Sequence, residues 1–153
     1  PKLAEALKYH QQHLAVADVP GKFIAHSNLG LAYQALGEME EAATNHQQAL
    51  RYAIRMSSLA GESLACGHLG MVSRQVDAAA AKACTERQLQ LARTLRDQHG
   101  KGDAFLQLGS LAQSSGEWNE AQHYFEQALR VAETHNDTES SDLARCNVGM
   151  TQG

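Results

Sequence analysis

The chain is poor in prolines, with only Pro1 and Pro20, and it has no run of alternating Val or Ile residues. Scarce breakers and missing sheet formers exclude a strand-built fold and leave an all-α class. Its three cysteines, Cys66, Cys84 and Cys146, are odd in number, and none has C-x-x-C spacing, which argues against a zinc or redox site of that type. They read as reduced thiols of a cytosolic or nuclear protein, with cytoplasmic location as the expectation, and Cys66 reads as a small apolar group on a buried face. No stretch of about 18 apolar residues and no basic-then-apolar N-terminal pattern occurs, so neither a membrane span nor export is expected. Net charge is −4 with acids and bases interleaved, which supplies none of the positive field that a phosphate backbone needs, so nucleic acid is not an expected partner. G-x-S-x-G, H-E-x-x-H and phosphate-loop sequences are missing as well, and no catalytic residue, cofactor or enzymatic activity is expected.

What the chain does have is periodicity. Gly30, Gly70, Gly109 and Gly149 follow one another at almost constant intervals, each directly after Leu29, Leu69, Leu108 or Val148. Five residues before each glycine stands Ala25, Ala65, Ala104 or Ala144, and two before it Asn28, His68, Gln107 or Asn147. A second series alternates with the first: Ala6, Leu14, Ala17; Ala42, Leu50, Ala53; Ala81, Leu89, Ala92; Ala121, Leu129, Ala132. Spacings of three, four, seven and eight place these side chains on one face at 3.6 residues per turn, so each repeat holds two different helices. Repeat arrays of this period bind more often than they catalyse.

Residues 2–17 form one amphipathic helix that matches the second element of the following copy, and Pro20-Gly21 is expected to end it. First elements are then predicted at 22–36, 62–75 and 102–115, and second elements at 38–57, 78–97 and 117–135. Gly37 and Gly116 are the natural caps between them. The middle copy is one residue shorter between glycine and alanine and carries Asp77 where a glycine would serve, so its turn is expected to be tighter or irregular. The predicted layout is a single array: a second helix at 2–19, repeats at 22–60, 61–99 and 100–138, and a first helix at 139–153. A chain that opens and closes in mid-repeat is expected to be a piece of a longer array. The glycine of each first helix is expected to admit the second helix closely, with a small alanine meeting it.

Asn28 to Leu50, NLGLAYQALGEMEEAATNHQQAL, and Gln107 to Leu129, QLGSLAQSSGEWNEAQHYFEQAL, resemble tetratricopeptide repeats. The likeness lies in Leu-Gly, Tyr33 or Ala112 three residues on, Gly37 or Gly116 at the turn, Ala42 or Ala121, and Ala49-Leu50 or Ala128-Leu129. That family usually repeats with a period of about 34 residues, whereas here the second helix and its loop are longer. LARTLRDQHGKGDAFLQLG, from Leu91 to Gly109, is similar to a long-repeat branch that includes LGN, rapsyn and the very large multi-repeat proteins with a C-terminal CHAT domain, the tetratricopeptide repeat protein 28 type. The resemblance implies a right-handed α-solenoid of antiparallel helix pairs.

It also implies where a partner would lie, in a concave groove lined by the first helices. Carried onto this chain, that wall is Ile24, Ser27, Asn28, Leu31 and Gln34; Leu64, Gly67, His68, Met71 and Arg74; Asp103, Leu106, Gln107, Ser110 and Gln113. Asn28, His68, Gln107 and Asn147 would form a polar ladder for the backbone of an extended peptide, or would simply face solvent or bond neighbouring helices. The clamp with which some members hold a terminal carboxylate has no counterpart, since Ser27, Leu31, His68, Asp103 and Gln107 hold those positions. Arg74 is the one cation of the wall and suits an acidic side chain. His10 and His13 can lie on one helical face, but no cluster has the three or four converging ligands of a zinc site, and His10 matches His46 in the next copy, which points to packing. Trp118, matching Met39, is expected to pack the helix junction, with a binding anchor as the alternative.

The expected function is a protein-interaction scaffold that holds a peptide or helical segment of a partner, an acidic one included, in that groove. Two other roles stay open: a structural spacer or self-association module, and the regulatory arm of an enzyme, such as a CHAT-type protease, whose catalytic domain lies elsewhere.

Overall fold

The structure is a computed structural model that describes residues 2–134; the predicted helix at 139–153, with Ala144, Cys146, Asn147, Val148 and Gly149, lies outside the described residues. Seven helices, and no strand among the described residues, follow one another: α1 (Lys2–Val16), α2 (Val19–Ala35), α3 (Met39–Arg55), α4 (Leu59–Ser73), α5 (Ala78–Leu95), α6 (Gln98–Ser114) and α7 (Trp118–Thr134). The chain divides into two compact units, one ending at Ala81 and the other beginning at Lys82. In the first, α1 packs on α2, α2 on α3 and α3 on α4; in the second, α6 packs on α7. The fold is all-α and built from packed helix pairs, as the two alternating ladders predict.

Pro20-Gly21 does not end a helix; it lies in the first turn of α2. Asp18 caps that helix by accepting from the Gly21 N–H at 2.9 Å, and proline is tolerated there because the first-turn N–H groups have no intrahelical partner. Ser58 caps α4 through Gly61 at 3.0 Å and Asp97 caps α6 through Gly100 at 3.0 Å, so all three first helices start three or four residues earlier than predicted.

These caps reveal a second glycine series, Gly21, Gly61 and Gly100, beside the one that the sequence ladder displays. A Cβ added at these positions would stand 2.9 Å from Ala17 Cβ, 3.2 Å from Ala53 Cβ and 3.6 Å from Ala92 Cβ. Ala17, Ala53 and Ala92 therefore meet this series, and at Gly30 and Gly109 the expectation that an alanine meets the glycine is corrected. A Cβ on Gly30 would lie 2.6 Å from either ring nitrogen of His46, and one on Gly109 would lie 2.6 to 2.9 Å from three ring carbons of Phe125. The space beside Gly30 and beside Gly109 is filled by a ring from the second helix. His46 and Phe125 hold the same repeat position, with Thr85 between them in sequence, and all three are fully buried.

The turn between first and second helix depends on glycine in two of three copies. Gly37 (φ 81°) and Gly116 (φ 76°) take the left-handed conformation, and the next N–H reaches five residues back, from Glu38 to the Tyr33 carbonyl and from Glu117 to the Ala112 carbonyl, both at 2.9 Å. In the middle copy Asp77 bonds back only four residues, to the Ser73 carbonyl at 2.8 Å, with no left-handed residue, and its side chain accepts from the Ala80 N–H at 3.1 Å. That turn differs as its sequence predicts.

Ala25, Leu29, Ala42, Ala49, Ala53, Ala65, Leu69 and Val72 make the core of the first unit. In the second, Leu89, Ala104, Phe105, Leu108 and Ala128 form one cluster and Ala112, Ala121 and Phe125 another. Helices can approach closely where so many contact positions are alanine or glycine.

Candidate interaction surface

The first helices of the first unit, α2 and α4, bury Ala25, Leu29 and Ala32 and then Ala65, Leu69 and Val72 against their neighbours. The adjoining stripe, about 100° around each helix, is not polar. Ile24 and Leu31 on α2 are 51% and 43% exposed, and Leu64 and Met71 on α4 are 51% and 49% exposed. Ile24 and Leu64 share one repeat position, and Leu31 and Met71 another, seven residues on. Exposed aliphatic groups scattered singly are ordinary, but the same two positions apolar in two successive first helices form a stripe. In α6 those positions hold Asp103 and Ser110, both partly buried.

Of the residues expected on the wall, Leu31, Met71 and Arg74 are exposed, while Asn28, Gln34, His68, Gln107, Ser110 and Gln113 are half-buried. Ser27 and Gly67 are buried, and the Ser27 hydroxyl donates to the Phe23 carbonyl at 2.8 Å, so neither offers a contact. Leu106 packs against the core clusters of the second unit. Trp118, expected to pack a junction, is 53% exposed.

Two rungs of the polar ladder touch the fold, one by a ring contact and one by a hydrogen bond. The His68 ring lies 4.9 Å from that of His46, and Gln107 Oε1 accepts from the Thr85 hydroxyl at 3.5 Å. In both cases the residue two before the glycine of one first helix touches the buried side chain that the preceding second helix supplies. The sequence holds this signal, because His46 to His68 and Thr85 to Gln107 span the same interval along the chain.

Burial, and then the charge of His68, push the His46 imidazole down to about 4, and burial lowers His68 as well. Both rings are therefore neutral near pH 7. Neither ring nitrogen of His46 has a hydrogen-bond partner, nor has His68 Nδ1. Toward the end of α2, Gln34 Oε1 is also buried without a donor. Arg74, at the matching repeat position just after α4, has no carboxylate partner among the described residues. Among those residues no group of three His, Cys, Asp or Glu could hold a metal ion, and no helix is long and apolar enough to cross a membrane. Burial raises the Cys84 thiol, which disfavours the reactive thiolate.

Two family models, both described as tetratricopeptide repeat, match residues 25–56 and 102–142. No curated protein matches the sequence. Among solved structures, the chain is similar to BtubC (BKLC) from P. vanneervenii, with a TM-score of 0.82 at 20% identity. The likeness covers 97% of this chain and 62% of that one, so this chain spans less than two thirds of its structural relative. At that identity the likeness carries the fold.

Proposed function

We propose, from the premise that this chain is a tetratricopeptide-repeat protein, that it is a non-catalytic scaffold holding a segment of a protein partner along its first helices. Repeats of this family mediate protein–protein interaction in general, and here the reading acquires a location. The observation that carries it is the stripe of Ile24, Leu31, Leu64 and Met71, each about half exposed on two successive first helices. Covering that stripe removes apolar surface from water at about 25 cal/mol per Å², a gain open to a partner that fits and closed to the free chain. Arg74 adds a cation that would favour an acidic side chain in the partner. A cytoplasmic location and a place in the long-repeat branch of the family belong to the same proposal.

Site-specific photocrosslinking tests it. A benzoylphenylalanine placed at Leu31 or Met71 in cells is expected to give discrete adducts with another protein, while one at Gln47, exposed on α3, is expected to give none. Adducts at Gln47 alone, or equal yields at all three positions, would move the contact away from the first helices and refute the reading.

A further inference from the structure

Four side chains of the first unit meet at the edge where α2 begins and α3 ends. The Tyr52 ring is stacked on the His26 imidazole, with centroids 5.7 Å apart and planes 14° from parallel. Lys22 Nζ stands 6.0 Å from the centre of the same phenol ring, and the Arg55 guanidinium carbon 5.7 Å from it. At about 100° per residue, Lys22 and His26 lie on the side of α2 turned away from Ile24 and Leu31, so this cluster is no part of the first-helix stripe.

Neither cation has a counter-ion among the described residues. Asp18, one turn before Lys22, is occupied by the Gly21 N–H at 2.9 Å. A ring face attracts a cation without supplying the oxygen lone pairs to which its N–H groups donate. His26, in turn, is held in one tautomer. Asn45 Nδ2 donates to the Glu41 carbonyl at 2.9 Å, which turns Asn45 Oδ1 to accept from His26 Nδ1 at 3.0 Å. The other ring nitrogen, Nε2, has no partner among the described residues.

The repeat register separates this cluster from the architecture. Lys22, His26, Tyr52 and Arg55 correspond to Glu62, Cys66, Leu91 and Thr94 in the second copy and to Lys101, Phe105, Val131 and Thr134 in the third. Neither copy pairs two cations with a tyrosine, so a helix pair of this kind closes without them.

We propose that this cluster binds a phosphoserine side chain of a protein partner. A carboxylate balances one of the two cations, whereas a phosphate monoester carries about −1.5 to −2 at pH 7 and three acceptor oxygens, enough for Lys22 and the forked Arg55 together. Nε2 of His26 accepts from a protonated phosphate oxygen or, once protonated itself, donates to an ionised one. His26 already covers a face of Tyr52, which suits a short side chain rather than a further ring. The net charge of −4 repels an anionic bilayer or a polynucleotide, and a single phosphate on a protein is the source that fits. This site goes beyond the first-helix reading and does not depend on it.

The test offers the full chain bead-borne peptides in which a central phosphoserine is flanked by randomised residues. Retained sequences are remade as labelled peptides with phosphoserine, glutamate or serine at the centre. By fluorescence anisotropy the phosphoserine form is expected to bind, and the glutamate and serine forms at least about tenfold more weakly, the loss of one charge-assisted hydrogen bond. Lys22→Met and Arg55→Met, which keep the apolar stem and drop the charge, are expected to weaken the phosphoserine form by a similar factor, with helicity unchanged by circular dichroism. Leu31→Ser is expected to leave it alone. A glutamate form that binds as tightly overturns the phosphate, and affinity that survives both methionine variants overturns the site. A loss in Leu31→Ser without one in the methionine variants moves the phosphate to the first-helix face and overturns it equally. If no peptide is retained, or the chain sediments instead with vesicles bearing phosphatidylinositol phosphate, the inference fails, while crosslinking at Leu31 and Met71 still decides the first-helix reading.

Discussion

The imidazole of His46 occupies the space where a side chain on Gly30 would begin, and a Cβ there would sit 2.6 Å from both ring nitrogens. His46 also lies against His68, with ring centroids 4.9 Å apart.

Gly30→Ala is therefore expected to destabilise the chain although alanine is the better helix former by about 1 kcal/mol. Overpacking costs about 1–3 kcal/mol, and a fully buried ring has little room to yield. Gly109→Ala, facing Phe125, is expected to behave alike. Gly102→Ala is the counterpart, since its Cβ would meet only Val131 at 3.5 Å, an ordinary contact; it is expected to stabilise by up to about 1 kcal/mol. Urea denaturation of the three variants checks this, and a Gly30→Ala chain as stable as the parent contradicts it.

Acid should loosen the first unit. The folded His46 has its pKa lowered from 6.5 to about 4, and His68 is lowered too. The unfolded chain thus binds more protons between these values, and stability rises with pH through that window. The contribution is fully present above about pH 6.5 and is lost as pH falls toward 4, to an extent on the order of 3 kcal/mol for His46. His68 is the titratable group whose charge acts on His46. His46→Phe, which installs the side chain that Phe125 supplies in the equivalent position, is expected to flatten the slope. Denaturation midpoints at pH 7, 6, 5 and 4.5 measure it, and an equally steep slope in His46→Phe would assign the effect elsewhere.

Ser57 and Arg96, which hold equivalent positions after α3 and α5, both sit at φ 55°, where a Cβ is strained. Ser57→Gly and Arg96→Gly are each expected to stabilise by about 0.5–1 kcal/mol, net of the greater freedom of glycine in the unfolded chain. Gly37→Ala and Gly116→Ala, at φ 81° and 76°, are expected to cost about 1 kcal/mol although nothing crowds either position. Thermal melts that rank the four variants otherwise would contradict the conformational argument.

The helices and their alternation could be read from Ala and Leu spacing because a buried stripe must recur at the helical period. Which side chain meets which could not. Gly21 beside Pro20 reads as a helix exit by local propensity, and only the Asp18 cap and the approach of Ala17 turn it into a helix start. Gly30 announced a close approach, but the partner is a ring on the following helix, and spacing alone does not choose between His46 and an alanine one turn away. On the candidate surface, Leu31, Met71 and Arg74, which the family resemblance placed on the wall, are exposed. That His68 and Gln107 would turn toward His46 and Thr85 could not be read, because a polar residue at a helix edge has both solvent and a neighbouring helix within reach.

His46, Thr85 and Phe125 give one architectural position three volumes and three chemistries. Individual repeats of this chain are therefore not interchangeable parts. A graft of one repeat into another's place would have to carry its buried side chain together with the residue of the next first helix that rests on it, or the seam would open as a void or jam.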